Sequence, residues 1–288
     1  MTSKLHLLVV EGNTAETRSR HAAVSGSTPS EAYTRVLRWL APDAVINICF
    51  PADPGAETPG DESLSSFDGV VITGSALNLW KGEDAALRQV ELAKRIFAAQ
   101  VPFFGSCWGL QVASVAAGGK VALNPRGREI GIARKITLTE AGRTHAMHLG
   151  RPIAFDAPAV HMDEVAVLPA DITVTAANSI SQVQAAEIRF NGGVFWGVQY
   201  HPEYSLFDIA ATVTRYGSRL VQEGFYRSLD ELETHMAVLK TLDRDPSRRD
   251  LSWQYGIDQD LLDARARTTE IANWLKQQAS RRSASNFD

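Results

Sequence analysis

Two short stretches of this 288-residue chain hold residue types that together make a nucleophile, a base and an orienting carboxylate. The first is Val101-Pro-Phe-Phe-Gly105-Ser-Cys107-Trp-Gly109-Leu-Gln111, an apolar run that ends in Gly-x-Cys-x-Gly and passes into a helical pattern. It reads as a strand, a sharp turn carrying Cys107, and a helix. Glycines two residues to either side of the cysteine remove side chains that would collide with neighbouring backbone. A helix that starts at the cysteine also points its free N–H groups and positive dipole end at the sulfur, which favours thiolate over thiol. The competing reading is a buried structural cysteine beside packing glycines.

The second stretch is Gly193-Val-Phe-Trp-Gly-Val-Gln-Tyr200-His201-Pro202-Glu203, in which an apolar strand runs straight into His-Pro-Glu. Pro202 disfavours helical backbone at His201, and in an extended chain residues i and i+2 project to the same side. Glu203 can therefore reach one ring nitrogen of His201 while the other faces outward. A carboxylate behind a histidine fixes its tautomer and stabilises its protonated form, the logic of a nucleophile-base-orienter triad. Taken alone, His201 could equally be a strand-end histidine and Glu203 a carboxylate favoured by a helix N-terminus. Both stretches end sheet strands, so they are expected to converge on one cleft.

The elements that must position them follow from the apolar pattern. Buried strands are expected at Lys4–Val10, Ala44–Phe50, Gly69–Gly74 and Pro102–Gly105. A polar loop is expected over residues 11–30, then a helix over Ser30–Leu40 with Ser30 as its N-cap, a surface loop over Pro51–Ser66, and a helix over Glu83–Ala99. This series implies an α/β fold: a mostly parallel sheet flanked by helices, with ligands beyond the carboxyl ends of the strands. After Gly118-Gly119 come strands at Ile132–Leu138, Glu164–Leu168, Ile172–Ala176, Gln182–Phe190 and Val194–Tyr200, a partly antiparallel portion with a hairpin at Gly192-Gly193. Helices are expected at Leu206–Glu223, at Ser228–Leu242 with a capping box from Ser228 to Glu231, and at Asp258–Gln278. The organisation expected is one domain over residues 1–223 and a helical C-terminal extension over residues 224–288.

Hydrophobic content of 44%, charged content of 22% and a net charge of -4 are those of an ordinary globular protein, with no electrostatic reason to expect nucleic acid or membrane as partner. Cys49 and Cys107 cannot make a disulfide framework or a metal-binding CxxC, so a reducing cytoplasm is the expected setting. Cys49, at a strand end, reads as a small buried hydrophobe. The run Leu5–Val10 is too short for a signal peptide or a membrane span.

Five motifs occur in one order across Lys4 to Arg219: Gly105-Ser-Cys107-Trp-Gly109-Leu-Gln111, Gly118-Gly119-Lys-Val, Arg128-Glu-Ile-Gly131, His161-Met-Asp163 and Gly197-Val-Gln-Tyr-His201-Pro-Glu203. In this the chain resembles the class I (triad) glutamine amidotransferase family, and most of all stand-alone members similar to the amidotransferase domain of GMP synthase. The resemblance implies a flavodoxin-like fold with Cys107 as nucleophile, His201 as base and Glu203 behind the base. It implies an oxyanion hole from the backbone N–H groups of Gly74 and Trp108. It places Gln111, His161 and Asp163 among the substrate-contacting residues.

The implied reaction is cleavage of a γ-glutamyl amide through a thioester, without metal or cofactor. His145-Ala-Met-His148 and His161 do not form a recognisable zinc set. The substrate is expected to be a small molecule, either glutamine or a γ-glutamyl amide or peptide. The stretch after Tyr204 is largely helical and carries no P-loop glycine motif, so a synthase partner is not indicated. Two other readings are a glutaminase subunit that delivers ammonia to a separate synthase, and a binding or regulatory protein that keeps the fold without turnover. The large ring of Trp108 is expected to reshape the pocket beside the thiol. The C-terminal helices could cover an apolar sheet face, cap the site or form a homo-oligomer interface.

Overall fold

A computed structural model of the chain describes residues 4–280 and 282. Its strands are β1 (His6–Val10), β2 (Val45–Cys49), β3 (Gly69–Ile72), β4 (Phe103–Ser106), β5 (Lys120–Leu123), β6 (Glu129–Leu138), β7 (Ala154–His161), β8 (Asp163–Val167), β9 (Ile172–Ala177), β10 (Ala185–Phe190) and β11 (Gly193–Val198). Nine of them form one sheet in the order β2-β1-β3-β4-β11-β10-β9-β6-β7, and β5 pairs with β8 apart from it. The first five in that order run parallel, and β10, β9, β6 and β7 continue the sheet antiparallel. The fold is therefore the α/β class that the strand pattern implies, a largely parallel sheet flanked by helices with a small antiparallel addition.

Strict alternation along the parallel strands divides the core by face. Leu8, Val10, Val70, Ile72 and Phe103 point to one side, where Ile96, Phe97, Leu110 and Val112 from two helices cover them. Leu7, Val9, Val71 and Phe104 point to the other, against Tyr33, Leu37 and the C-terminal residues Ile271, Trp274 and Leu275. The chain end thus returns to the sheet, with the fully buried Trp274 ring 6.0 Å from that of Phe104. A third cluster joins Leu206, Ile209 and Val213 to Leu232, Met236, Leu239, Ile257 and Leu261. Among the described residues no helix is long and apolar enough to cross a membrane.

Several local expectations change, each for a physical reason. Residues 11–30 are not all loop, because Ala15–Ser25 is a helix capped by the Thr14 hydroxyl and ended by a left-handed Gly26. Its polar sequence has no apolar stripe, so the pattern hides it. The next helix starts at Pro29 with Thr28, not Ser30, as N-cap, and Thr28 and Glu31 form a reciprocal capping box. The Ser30 N–H instead donates to buried Glu11 (2.9 Å). In the helix Leu229–Arg244 the Ser228 hydroxyl caps the Glu231 N–H, but the Glu231 carboxylate turns to the Arg227 N–H, so only half of the expected box forms. The single helix expected over 258–278 is four short segments: Gln259–Leu262, Ala264–Arg267, Thr269–Trp274 and Leu275–Ala279. Strand β7 escapes the pattern because Pro158 interrupts it, which is tolerated on the last strand of the sheet. The hairpin turn lies one residue earlier than expected, at Asn191-Gly192, both with positive φ.

Candidate active site

Strands β3, β4 and β11 are neighbours, with Ile72 level with Gly105 and Val198 level with Ser106. Their carboxyl ends release Gly74, Cys107 and His201 from the same edge of the sheet. Cys107 has φ 50° and ψ -96°, a conformation that a side chain rarely adopts. It persists because the turn is fixed on both sides. The Cys107 N–H donates to the Val198 carbonyl (2.7 Å), and the helix Trp108–Ala116 starts at the next residue. That helix lies so close to the sheet that a methyl group on Gly109 would sit 2.7 Å from the Ile72 carbonyl oxygen.

Cys107, His201, Gly74 and Val160 line one cavity of about 50 Å³. The Cys107 thiol donates to the Val160 carbonyl (3.6 Å). The His201 ring is held on three sides. Its backbone N–H donates to the Pro158 carbonyl (2.7 Å), its face stacks on Tyr204 (4.3 Å, 9°), and its Nδ1 meets Glu203 Oε1 at 2.6 Å. A carboxylate can only accept there, so Nδ1 carries a proton. Nε2 is buried with no partner meeting hydrogen-bond geometry, on the ring that shares the cavity with Cys107. Burial works against a charged ring. The carboxylate of Glu203, and next to it the sulfur of Cys107 as acceptor, more than offset this and raise His201 from 6.5 to about 10.

Glu203 has a second partner that sequence reading missed. Its Oε2 accepts from the Ser106 hydroxyl (2.9 Å), which in turn contacts the Tyr33 hydroxyl. Ser106 precedes the cysteine, and Tyr33 comes from a helix 73 residues upstream, so no local spacing marks the chain Tyr33–Ser106–Glu203–His201. Gly74 backs onto the same imidazole, where an added Cβ would lie 2.6 Å from His201 Cε1. Neither the Gly74 N–H nor the Trp108 N–H has an acceptor among the described residues. Both donors stand free at the end of the sheet that holds the thiol.

The remaining residues lie elsewhere. The Trp108 side chain does not reshape the pocket: it is fully buried in the core, and its indole N–H donates to Gln89 (2.7 Å). Gln111, His161 and Asp163 come together in a separate, buried group and do not line the cavity. Gln111 Nε2 and His161 Nδ1 both meet the Asp163 carbonyl (3.4 and 3.2 Å). The Asp163 carboxylate accepts from Asn78 and Trp80, and His161 Nε2 meets Glu129 at 2.8 Å. Burial opposes the charge of Glu129, but hydrogen bonds from His161, Asn178 and Gln184 hold its carboxyl below the usual range.

A cysteine on a strained strand-to-helix elbow, facing an imidazole–carboxylate pair at the carboxyl edge of a parallel sheet, defines the class of thiol-presenting α/β proteins. The match of residues 34–215 to the family model described as glutamine amidotransferase class-I makes the assignment narrower: the chain belongs to that family. It is 36% identical over 277 residues to Gamma-glutamyl-L-1-hydroxyisopropylamide hydrolase of a Pseudomonas species, covering 94% of this chain and 92% of that one. It is 30% identical over 174 residues to Gamma-glutamyl peptidase 5 of Arabidopsis thaliana, covering 59% of this chain and 67% of the plant protein. A glutamine amidotransferase structure from Thermotoga maritima superposes with a TM-score of 0.60 over 86% of this chain and 99% of that one. At 18% identity it speaks for the fold alone.

Proposed function

We propose that this chain is a γ-glutamyl amide hydrolase that works through Cys107, His201 and Glu203. The observation that carries the reading is the placement of the Cys107 thiol in one cavity with an imidazole whose far nitrogen is bound to Glu203 at 2.6 Å. In the proposed sequence His201 already carries the proton of the thiol on Nε2, and Cys107 Sγ attacks the amide carbonyl. The oxyanion forms against the Gly74 and Trp108 N–H groups, donors worth about 3 kcal/mol each in comparable sites. The C–N bond breaks as His201 returns the proton to the leaving amine. Water then attacks the thioester, His201 accepts its proton, and glutamate departs with the thiol restored.

Glu203 holds Nδ1–H and offsets the charge that the ring gains at each transfer. Gln111, His161 and Asp163 act in this reading as the buried wall behind the glutamyl group, fixed by one another. The length of the match to the Pseudomonas hydrolase, almost the whole of both chains, supports a self-contained hydrolase over a subunit that feeds a synthase. The test is glutamate release, followed by mass spectrometry, from glutamine and a panel of γ-glutamyl amides and peptides. Wild type is expected to release glutamate and Cys107→Ala none, with an unchanged circular dichroism spectrum. Turnover that survives the substitution overturns the reading.

A further inference from the structure

The reaction as described uses one oxygen of Glu203 and leaves the other to a pair of hydroxyls. Ser106 Oγ donates to Glu203 Oε2 (2.9 Å), and the Tyr33 hydroxyl contacts Ser106 Oγ. Tyr33 and Ser106 are fully buried and Glu203 nearly so. The direction of each proton follows from the donors present. Glu203 carries the charge that holds His201 protonated, so both of its oxygens accept, one from His201 Nδ1–H (2.6 Å) and one from the Ser106 hydroxyl. Ser106 has then given away its only side-chain proton, so it accepts from Tyr33. Burial, and after it the charge of Glu203, push the Tyr33 phenol well above its ordinary range, so it keeps the proton that it donates. The chain of donors runs one way, from Tyr33 to Ser106 to Glu203.

Ser106 also stands where it ties the base to the nucleophile. It ends strand β4, level with Val198 of β11, and the next residue is Cys107, whose N–H donates to that Val198 carbonyl (2.7 Å). Phe104 and Ser106 share one face of β4, and Phe104 packs there in the same cluster as Tyr33. The backbone that fixes the thiol and the side chain that fixes the carboxylate are thus one residue apart. Resting on the hydrolase reading above, we propose that Ser106 and Tyr33 are positioning residues that fix Glu203 behind His201 and hold the imidazole in line with the Cys107 elbow. Both act through Glu203. Without the Ser106 hydroxyl, Oε2 loses its hydrogen bond, and the carboxylate is free to turn about its terminal bond. A turned carboxylate moves the 2.6 Å contact at Nδ1, and with it the Nε2 that must meet the leaving amine. Without the Tyr33 hydroxyl, Ser106 still donates, but less strongly, because a hydroxyl that accepts a bond is the better donor. Its removal therefore acts in the same direction and by less.

The test compares Ser106→Ala, Tyr33→Phe and the double variant on a γ-glutamyl amide that wild type cleaves. In Ser106→Ala, kcat is expected to fall roughly tenfold to a hundredfold, the worth of a hydrogen bond to a charged group, and in Tyr33→Phe about threefold to tenfold. KM is expected to stay within about twofold of wild type in both. The double variant is expected to be at most about twofold slower than Ser106→Ala, because Tyr33 acts through Ser106. A second readout belongs to the imidazole: the low-field proton NMR line of His201 Nδ1–H, identified by its displacement in Glu203→Gln. That line is expected to shift in Ser106→Ala and, by less, in Tyr33→Phe. Residues that served the fold alone would lower the melting temperature and leave kcat and the line in place. Ser106→Ala deprives a buried charge of a donor and can misfold. Tyr33→Phe removes a single oxygen and, checked by its melting curve, then decides alone. A folded Tyr33→Phe with kcat within about twofold of wild type, an unmoved line, or a loss that falls on KM overturns the positioning role while leaving the hydrolase reading intact. Losses that multiply in the double variant also overturn it. No glutamate from wild type on any γ-glutamyl amide removes the hydrolase reading and the positioning role together.

Discussion

Replacing Glu203 by glutamine keeps the shape of the side chain and removes its charge. The amide oxygen can still accept from His201 Nδ1, now 2.6 Å from Oε1, and the amide nitrogen can donate to the Ser106 hydroxyl that now binds Oε2. What is lost is the charge that holds His201 protonated. Burial alone lowers that ring, yet it stands at about 10 against 6.5, a difference worth about 5 kcal/mol between its two protonation states. Glu203 is the largest favourable cause, so about 3 to 5 kcal/mol is removed from every step in which His201 carries the proton. In Glu203→Gln, kcat/KM for glutamate release is therefore expected to fall roughly a hundredfold to several thousandfold. The basic limb of its pH profile is expected to move to lower pH, because the imidazolium loses its proton sooner. Stability carries the same signature. A raised histidine contributes fully below its ordinary value of 6.5 and loses that contribution as pH rises through about 10. Urea melts should show a gap between wild type and variant that is widest near pH 6.5 and narrows toward pH 10. A variant within tenfold of wild type, with an unmoved basic limb, refutes the role given to the charge.

Three further outcomes check other parts of the structure. Gly74→Ala places a methyl group 2.6 Å from His201 Cε1, so kcat is expected to drop about a hundredfold with little change in fold; normal turnover would show that the ring has room to move. Trp274→Ala empties a fully buried site between the C-terminal segment and Phe104 and is expected to cost about 3 to 5 kcal/mol in urea unfolding; a loss under about 1 kcal/mol would mean that the segment adds little to the core. Burial pushes the Cys49 thiol up to about 12, so iodoacetamide at neutral pH should label Cys107 and spare Cys49 in peptide maps. Equal labelling of both would contradict the burial of Cys49.

The parts of the site that lie within a few residues of one another were legible in the sequence. Cys107 sits between glycines at the end of an apolar run, and His201 and Glu203 stand one Pro apart, so their local geometry follows from backbone rules. The partners that come from afar left no such mark. Tyr33 reaches Ser106 across 73 residues, and His21 and Arg215 meet the cavity from two helices that are far apart in the sequence. The helix bearing His21 has no apolar stripe, because its buried positions are His21 and Ser25. Strand β7 supplies the Pro158 and Val160 carbonyls to the site, yet the proline that marks it as a sheet edge also disguised it as a loop. Trp108 misled because type and position do not tell which way the first side chain of a helix turns.

The account turns on a covalent bond between Cys107 and the glutamyl group. Mixing the protein with a γ-glutamyl amide, quenching in acid within the first turnover and mapping peptides by mass spectrometry measures that bond directly. The expected result is a mass increase of one glutamyl group on the peptide containing Cys107, gained with wild type and absent with Cys107→Ala. Released glutamate with no such adduct at any quench time, together with turnover by Cys107→Ala, would contradict it.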